Sequence, residues 1–158
     1  MMTLILLHWS QTLRFFTILT PPQPRQSQPD EVAQPGPLFP VLILAPLAGL
    51  VSAPLAALAG WLALAASFPP ITAGLVALFC LIWISGGLHE DGLGDYMDGI
   101  GAGGTAHARL SIMRDSRIGA YGAIGLIMAI GLQAGLIGQI GDQTGLAGFM
   151  AVMLACEL

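Results

Sequence analysis

Long apolar runs separated by short polar interruptions dominate this chain, and that pattern predicts helices. Residues 39–68 are apolar almost throughout. At 1.5 Å per residue they would make a helix about 45 Å long, more than the roughly 30 Å hydrocarbon core of a bilayer requires. Such a helix must tilt, kink or overhang. Pro46 and Pro54 offer kink sites, while Gly49, Ala53, Ala56, Ala57 and Gly60 form a small-residue surface suited to helix packing in lipid. Pro69 and Pro70 end it. Residues 71–88 are a second apolar run, just long enough to cross back, with Trp83 near its end where aromatic anchors collect. Residues 120–140, glycine-spaced and polar only at Gln133 and Gln139, predict a third span. Residues 145–158 begin a fourth that stops too early to cross.

The first 37 residues read differently. Residues 1–20 interrupt an apolar opening with His8, Ser10, Gln11 and Thr12, and lack the early basic flank and Ala-x-Ala site of a signal peptide. An interfacial helix is expected, with the Trp9 ring and the Arg14 cation near the headgroups and His8 structural. Residues 21–37 are too proline-rich to continue a helix and predict a surface loop. The expected fold is therefore all-α: a polytopic transmembrane helical bundle with an interfacial N-terminal helix, one membrane domain over residues 1–158.

Between the second and third apolar runs lies a polar centre, GGLHEDGLGDYMDGIGAGGTAHARLSIMRDSRIGAYG, residues 86–122. It holds Glu90, Asp91, Asp95, Asp98 and Asp115 of the chain's 9 carboxylates, and Arg109, Arg114 and Arg117 of its 5 basic residues. On a helix over residues 87–100, Asp91, Asp95 and Asp98 fall within an arc of about 60°. Carboxylates that close repel unless a cation sits among them, and Mg²⁺, which prefers carboxylate oxygen and completes its shell with water and phosphate, is the natural occupant. A solvated acidic face is the plainer reading. Glycine argues against it, since Gly92, Gly94 and Gly99 each cost about 1 kcal/mol against alanine in a helix and make sense where a second helix or a ligand comes close. After a turn rich in glycine (Gly101, Gly103, Gly104), the three arginines supply forks that match phosphate oxygens. His107 is expected in a loop.

Composition sharpens the class. The chain is 55% hydrophobic and 9% charged, contains no lysine and carries a net charge of −4. Its mean hydropathy is +0.79. A soluble domain carries roughly 25% charged residues, so this is the composition of a membrane protein. No basic face exists for nucleic acid. Cys80 and Cys156 lie in apolar runs without ligand-like spacing and imply neither a disulfide nor a zinc site.

The runs GGLHEDGLGDYMDG and RLSIMRDSRIGAYG together resemble the cobalamin synthase family, adenosylcobinamide-GDP ribazoletransferase, an integral membrane enzyme of late cobalamin assembly. The shared pattern is His-x-Asp-Gly-Leu-x-Asp-x-x-Asp-Gly followed by Ile-Met-Arg-Asp-Ser-Arg-Ile-Gly. Asp95-x-x-Asp98-Gly99 also echoes the opening of the CDP-alcohol phosphotransferase signature, whose remainder is not matched. The cobalamin synthase resemblance implies a transferase in which a ribose hydroxyl of α-ribazole, or of its 5′-phosphate, attacks the cobinamide-linked phosphate of adenosylcobinamide-GDP and expels GMP. It also implies that family members continue through further membrane helices. Asp91, Asp95 and Asp98 are then the expected Mg²⁺ ligands, with Asp115 or Glu90 as additional ones. Arg109, Arg114 and Arg117 are expected to hold phosphates, and His89 or one of the aspartates to take the hydroxyl proton. For His89 a metal ligand, a general base and a hydrogen-bonded interfacial histidine all stay open.

Two other functions use similar parts. A CDP-alcohol-type phospholipid synthase applies the same metal logic to a lipid, and a membrane cation transporter also places carboxylates among broken helices. Clustering of the carboxylates beside arginines speaks against an ion path. The excess of arginine in residues 89–117 and near the N-terminus, with none at the Pro69-Pro70 turn, places both basic regions in the cytoplasm by the positive-inside rule. The expected location is the bacterial inner membrane with the site facing inward, and the oligomeric state is left open.

Overall fold

The structure, a computed structural model, describes residues 38–157, with side chains described over 49–156. The interfacial helix expected over residues 1–20 and the loop expected over 21–37 lie outside the described residues. Those that are described form six helices and no strand: α1 (Leu38–Ala65), α2 (Pro70–Ser85), α3 (Leu88–Gly101), α4 (Ala106–Ile112), α5 (Ala120–Thr144) and α6 (Leu146–Glu157). The all-α reading holds for this region.

Helix α1 runs unbroken through Pro46 and Pro54 and closes with Ser67 in the left-handed region (φ 63°). Pro69 then serves as N-cap and Pro70 as first residue of α2, where proline's missing N–H costs nothing. The second expected span differs from its prediction. Helix α2 is only 16 residues long, and the chain then turns by 94° into α3. The turn is made by Gly86 and Gly87, both left-handed at φ 73° and 71°, a conformation that side chains with a Cβ resist. Hydropathy did not register this corner, because the run from Ile71 to Leu88 stays apolar across it. Over residues 49–156, α5 alone is long and apolar enough to cross a membrane by itself; α2 with α3 qualifies only as a bent pair, and the part of α1 within this range, Gly49–Ala65, is a shorter apolar helix.

The core is built from small residues. Ala53, Ala56 and Ala57 of α1, Ala73 and Ala77 of α2 and Ala134 of α5 are fully buried, and α2 packs chiefly against α5 and α1. Gly138 lies against the Pro70 carbonyl and Gly74 against that of Ala134, so these backbones touch where any Cβ would clash. Phe149 of α6, 0% exposed, fills the space left by Gly60 and Gly141. In contrast, Ile124, Ile127, Met128, Leu132 and Leu136 of α5 face outward, as apolar side chains do in lipid.

The loop expected around His107 is instead the short helix α4. Thr105 caps it, its Oγ1 accepting a 3.3 Å hydrogen bond from the Ala108 N–H. The cap signal was present in the sequence, but the neighbouring glycines masked it. Gly103 and Gly104 take φ 67° and 82° just ahead of it, and this turn swings α4 back under α3.

Candidate functional site

Helix α3 lies on the first turns of α5 and against the loop before it, with glycines at the contacts. Gly94 admits the Leu126 side chain, Gly99 the Met113 side chain and Gly101 the Tyr121 ring. Gly92, by contrast, has nothing within 4 Å. Close approach therefore explains Gly99 among the three helical glycines singled out from the sequence, whereas a Cβ at Gly94 would make only ordinary contact with Leu126.

Between α3 and the loop over residues 113–119 opens a cavity of about 240 Å³. Glu90, Asp91 and Asp95 form one wall, and Arg114, Asp115, Ser116 and Arg117 the other. Two runs about twenty residues apart in sequence thus meet with opposite charge. Asp91 is exposed and Asp95 half-buried. The Oε2 atom of Glu90 is buried with no hydrogen-bond partner among the described residues, an unsatisfied acceptor that calls for a cation, a water or a donor from a ligand.

The remaining candidates are placed differently. Asp98, 8% exposed, does not line the cavity. Its Oδ2 accepts a 2.6 Å hydrogen bond from the Gly119 N–H and its Oδ1 a 2.7 Å bond from the Gly122 N–H. Asp115 receives Arg117, whose Nη2 lies 2.7 Å from Oδ2 and whose Nε and backbone N–H both donate to Oδ1. This guanidinium holds the Asp115 carboxyl below its ordinary value, chiefly through the side-chain hydrogen bond. Arg114 lines both the main cavity and a smaller one beside His107 and Ser111. Arg109, exposed on α4, lines neither of them. His89 opens with Ser85, Glu90 and Gln133 onto a separate cavity of about 250 Å³ on the bundle side. Two helical residues turn the chain by about 200°, so the His-x-Asp spacing sends His89 and Asp91 to opposite sides of α3. Ser116 also lines the cavity; it stands inside the Ile-Met-Arg-Asp-Ser-Arg-Ile-Gly motif, but its charged neighbours drew the site assignment away from it.

Among the described residues no three His, Cys, Asp or Glu side chains are grouped as a metal cage. Mg²⁺ seldom needs one, since it is usually bound by one or two carboxylates, water and substrate phosphate. The oxygen donors of the Glu90, Asp91 and Asp95 wall, with the orphaned Glu90 Oε2, fit that kind of site.

Fold and site define a helical protein with an apolar span, whose polar centre sets carboxylates opposite arginines. The chain belongs to the cobalamin-5-phosphate synthase (CobS) family, whose model matches residues 8–158. It is 42% identical over 113 residues to an adenosylcobinamide-GDP ribazoletransferase of Brucella anthropi, covering 71% of this chain and 43% of that protein. Enzymes of the same name from Leptothrix cholodnii and Rhizobium johnstonii are 39% and 45% identical, over 70% and 60% of this chain and 41% and 36% of theirs. The chain thus spans about two fifths of the length of these relatives. No solved structure matches it.

Proposed function

We propose that this chain carries the reaction centre of an adenosylcobinamide-GDP ribazoletransferase. A ribose hydroxyl of α-ribazole or its 5′-phosphate attacks the phosphorus attached to cobinamide. A new P–O bond forms, the bond to GMP breaks, and the hydroxyl proton passes to a carboxylate of the α3 wall. The observation that carries this reading is the single cavity in which Glu90, Asp91 and Asp95 face Arg114 and Arg117, in a chain of this family.

Arg114 binds the pyrophosphate directly, and Arg117, braced by Asp115, is oriented beside it. Glu90, Asp91 and Asp95 hold Mg²⁺. Bound there, the ion supplies charge neutralisation for the pyrophosphate and for the departing GMP. Arg109, exposed on α4, would serve the incoming substrate electrostatically rather than by direct contact in the cavity. The protein is polytopic in the bacterial inner membrane, with the cavity open to the cytoplasm, where both polar substrates are found.

Purified protein supplied with adenosylcobinamide-GDP, α-ribazole and Mg²⁺ releases GMP and forms a cobalamin. Release of CMP from a CDP-linked lipid, with the corrinoid left untouched, would replace this reading with a phospholipid synthase.

A further inference from the structure

Helix α5 begins at Gly119, which has no side chain to cap it, and the first N–H groups of any helix lack partners within it. A carboxylate from another helix supplies them. Asp98 reaches across from α3 and accepts from the Gly119 N–H, 21 residues further along the chain, and from the Gly122 N–H, 24 residues along. Negative charge at a helix N-terminus is favourable, and hydrogen bonds to an ionised acceptor are about twice as strong as neutral ones. The seat is shaped for this group. A Cβ on Gly119 would stand 2.9 Å from the Asp98 carboxyl carbon, and one on Gly122 would stand 2.9 Å from the same atom and 2.8 Å from the Gly94 carbonyl.

We infer that Asp98 is a positioning residue: its carboxylate ties the start of α5 to α3 and thereby fixes the Arg114–Arg117 loop opposite Asp91 and Asp95. Both Asp98 oxygens face amides rather than the cavity, so it is not one of the ligands of the metal site. The segment between Asp98 and Gly119, holding α4 and all three arginines of the polar centre, becomes a loop closed at its base. Arg117 lies two residues before one end of that closure and Asp95 three before the other, which sets the spacing of the two charged walls. The effect on substrate binding rests on the proposed function, whereas the backbone tie does not.

The test compares Asp98→Asn, Gly122→Ala and Asp95→Asn in the whole protein reconstituted in nanodiscs. It reads amide hydrogen exchange over residues 119–122, binding of Mn²⁺ alone by electron paramagnetic resonance, and KM and kcat for adenosylcobinamide-GDP. Loss of the tie raises exchange at these amides about tenfold or more in Asp98→Asn and Gly122→Ala. Mn²⁺ affinity in both stays within about twofold of the parent and drops in Asp95→Asn, and KM for the corrinoid rises more than kcat falls. Unchanged exchange, or a loss of Mn²⁺ affinity in Asp98→Asn matching that in Asp95→Asn, would overturn the inference. Should Asp98→Asn fail to insert, Gly122→Ala decides by the same two readouts, because it leaves every carboxylate in place. The expected exchange pattern in Asp98→Asn, found beside a parent protein that makes no cobalamin, would sink the functional reading and leave the tie standing.

Discussion

Arg117 Nη2 stands 2.7 Å from Asp115 Oδ2, and the Arg117 backbone N–H closes a turn onto the same carboxylate. The pair is exposed, so it adds little to stability. Its role is to orient the guanidinium at the cavity rim. Asp115, which the family resemblance implies as an additional metal ligand, is engaged by Arg117 through both carboxylate oxygens.

The pH dependence follows from the direction of the shift. Asp115 titrates below its ordinary value of 3.8 in the folded state because Arg117 stabilises the charged form. Its contribution is therefore present above the unfolded value and is lost as pH falls through the lower folded one. The pair should persist unchanged across the neutral range. Carboxyl carbon NMR of the labelled protein should show Asp115 ionised at pH 5, and Arg117→Ala should move its midpoint upward. A midpoint that stays put in Arg117→Ala would count against the pairing.

The carboxylate wall yields a second prediction. Asp95→Asn and Asp91→Asn each remove one anionic donor from the cavity without changing side-chain volume, so the protein should insert and fold normally. Turnover should fall by about a hundredfold or more in each, the scale of losing one electrostatic stabiliser of a reacting phosphate. Mg²⁺ titration of activity separates a binding defect, which excess metal partly restores, from loss of the proton acceptor, which it does not. Full turnover in both variants would remove the wall from the reaction.

Much of this is legible in the sequence. Apolar length and paired prolines located α1, α2, α5 and α6, because in a lipid environment the apolar run and its breakers are the same features that set helix ends. Opposite charges gathered in one stretch marked the site. What was hidden is directional. Nothing in GGLHED shows that Gly86 and Gly87 turn the chain by 94° or that His89 faces the bundle while Asp91 faces the cavity. Asp98 shared a helical arc with Asp91 and Asp95, yet a partner 21 residues away claimed it. Periodicity gives the face of a helix but not which neighbour covers each part of that face.

Close backbone contacts should be intolerant of even one methyl group. Gly138 faces the Pro70 carbonyl at the start of α2, and neither backbone can yield as a flexible side chain would. Gly138→Ala should destabilise the helical core by about 1–3 kcal/mol, the usual range for overpacking. Gly131→Ala, with nothing within 4 Å, should be neutral or slightly stabilising because alanine favours helix. Thermal unfolding of the two variants in the same detergent checks the contrast, and equal melting temperatures would refute it.

The cavity should face the cytoplasmic side of the membrane. Arg109, Arg114 and Arg117 all fall in the segment between α3 and α5, and short arginine-bearing loops are retained in the cytoplasm. Ser111 on α4 is exposed, and exchanging its hydroxyl for a thiol changes little else, which makes it a better reporter than Thr105, whose side chain caps the helix. The native thiols must first be removed, because Cys156 is exposed and Cys80 is half-buried. In a Cys80→Ala, Cys156→Ala background, Ser111→Cys should resist a membrane-impermeant maleimide added to intact spheroplasts and react once the membrane is opened. Labelling from outside would place the cavity on the far side of the membrane and would require the orientation of α5 to be reversed.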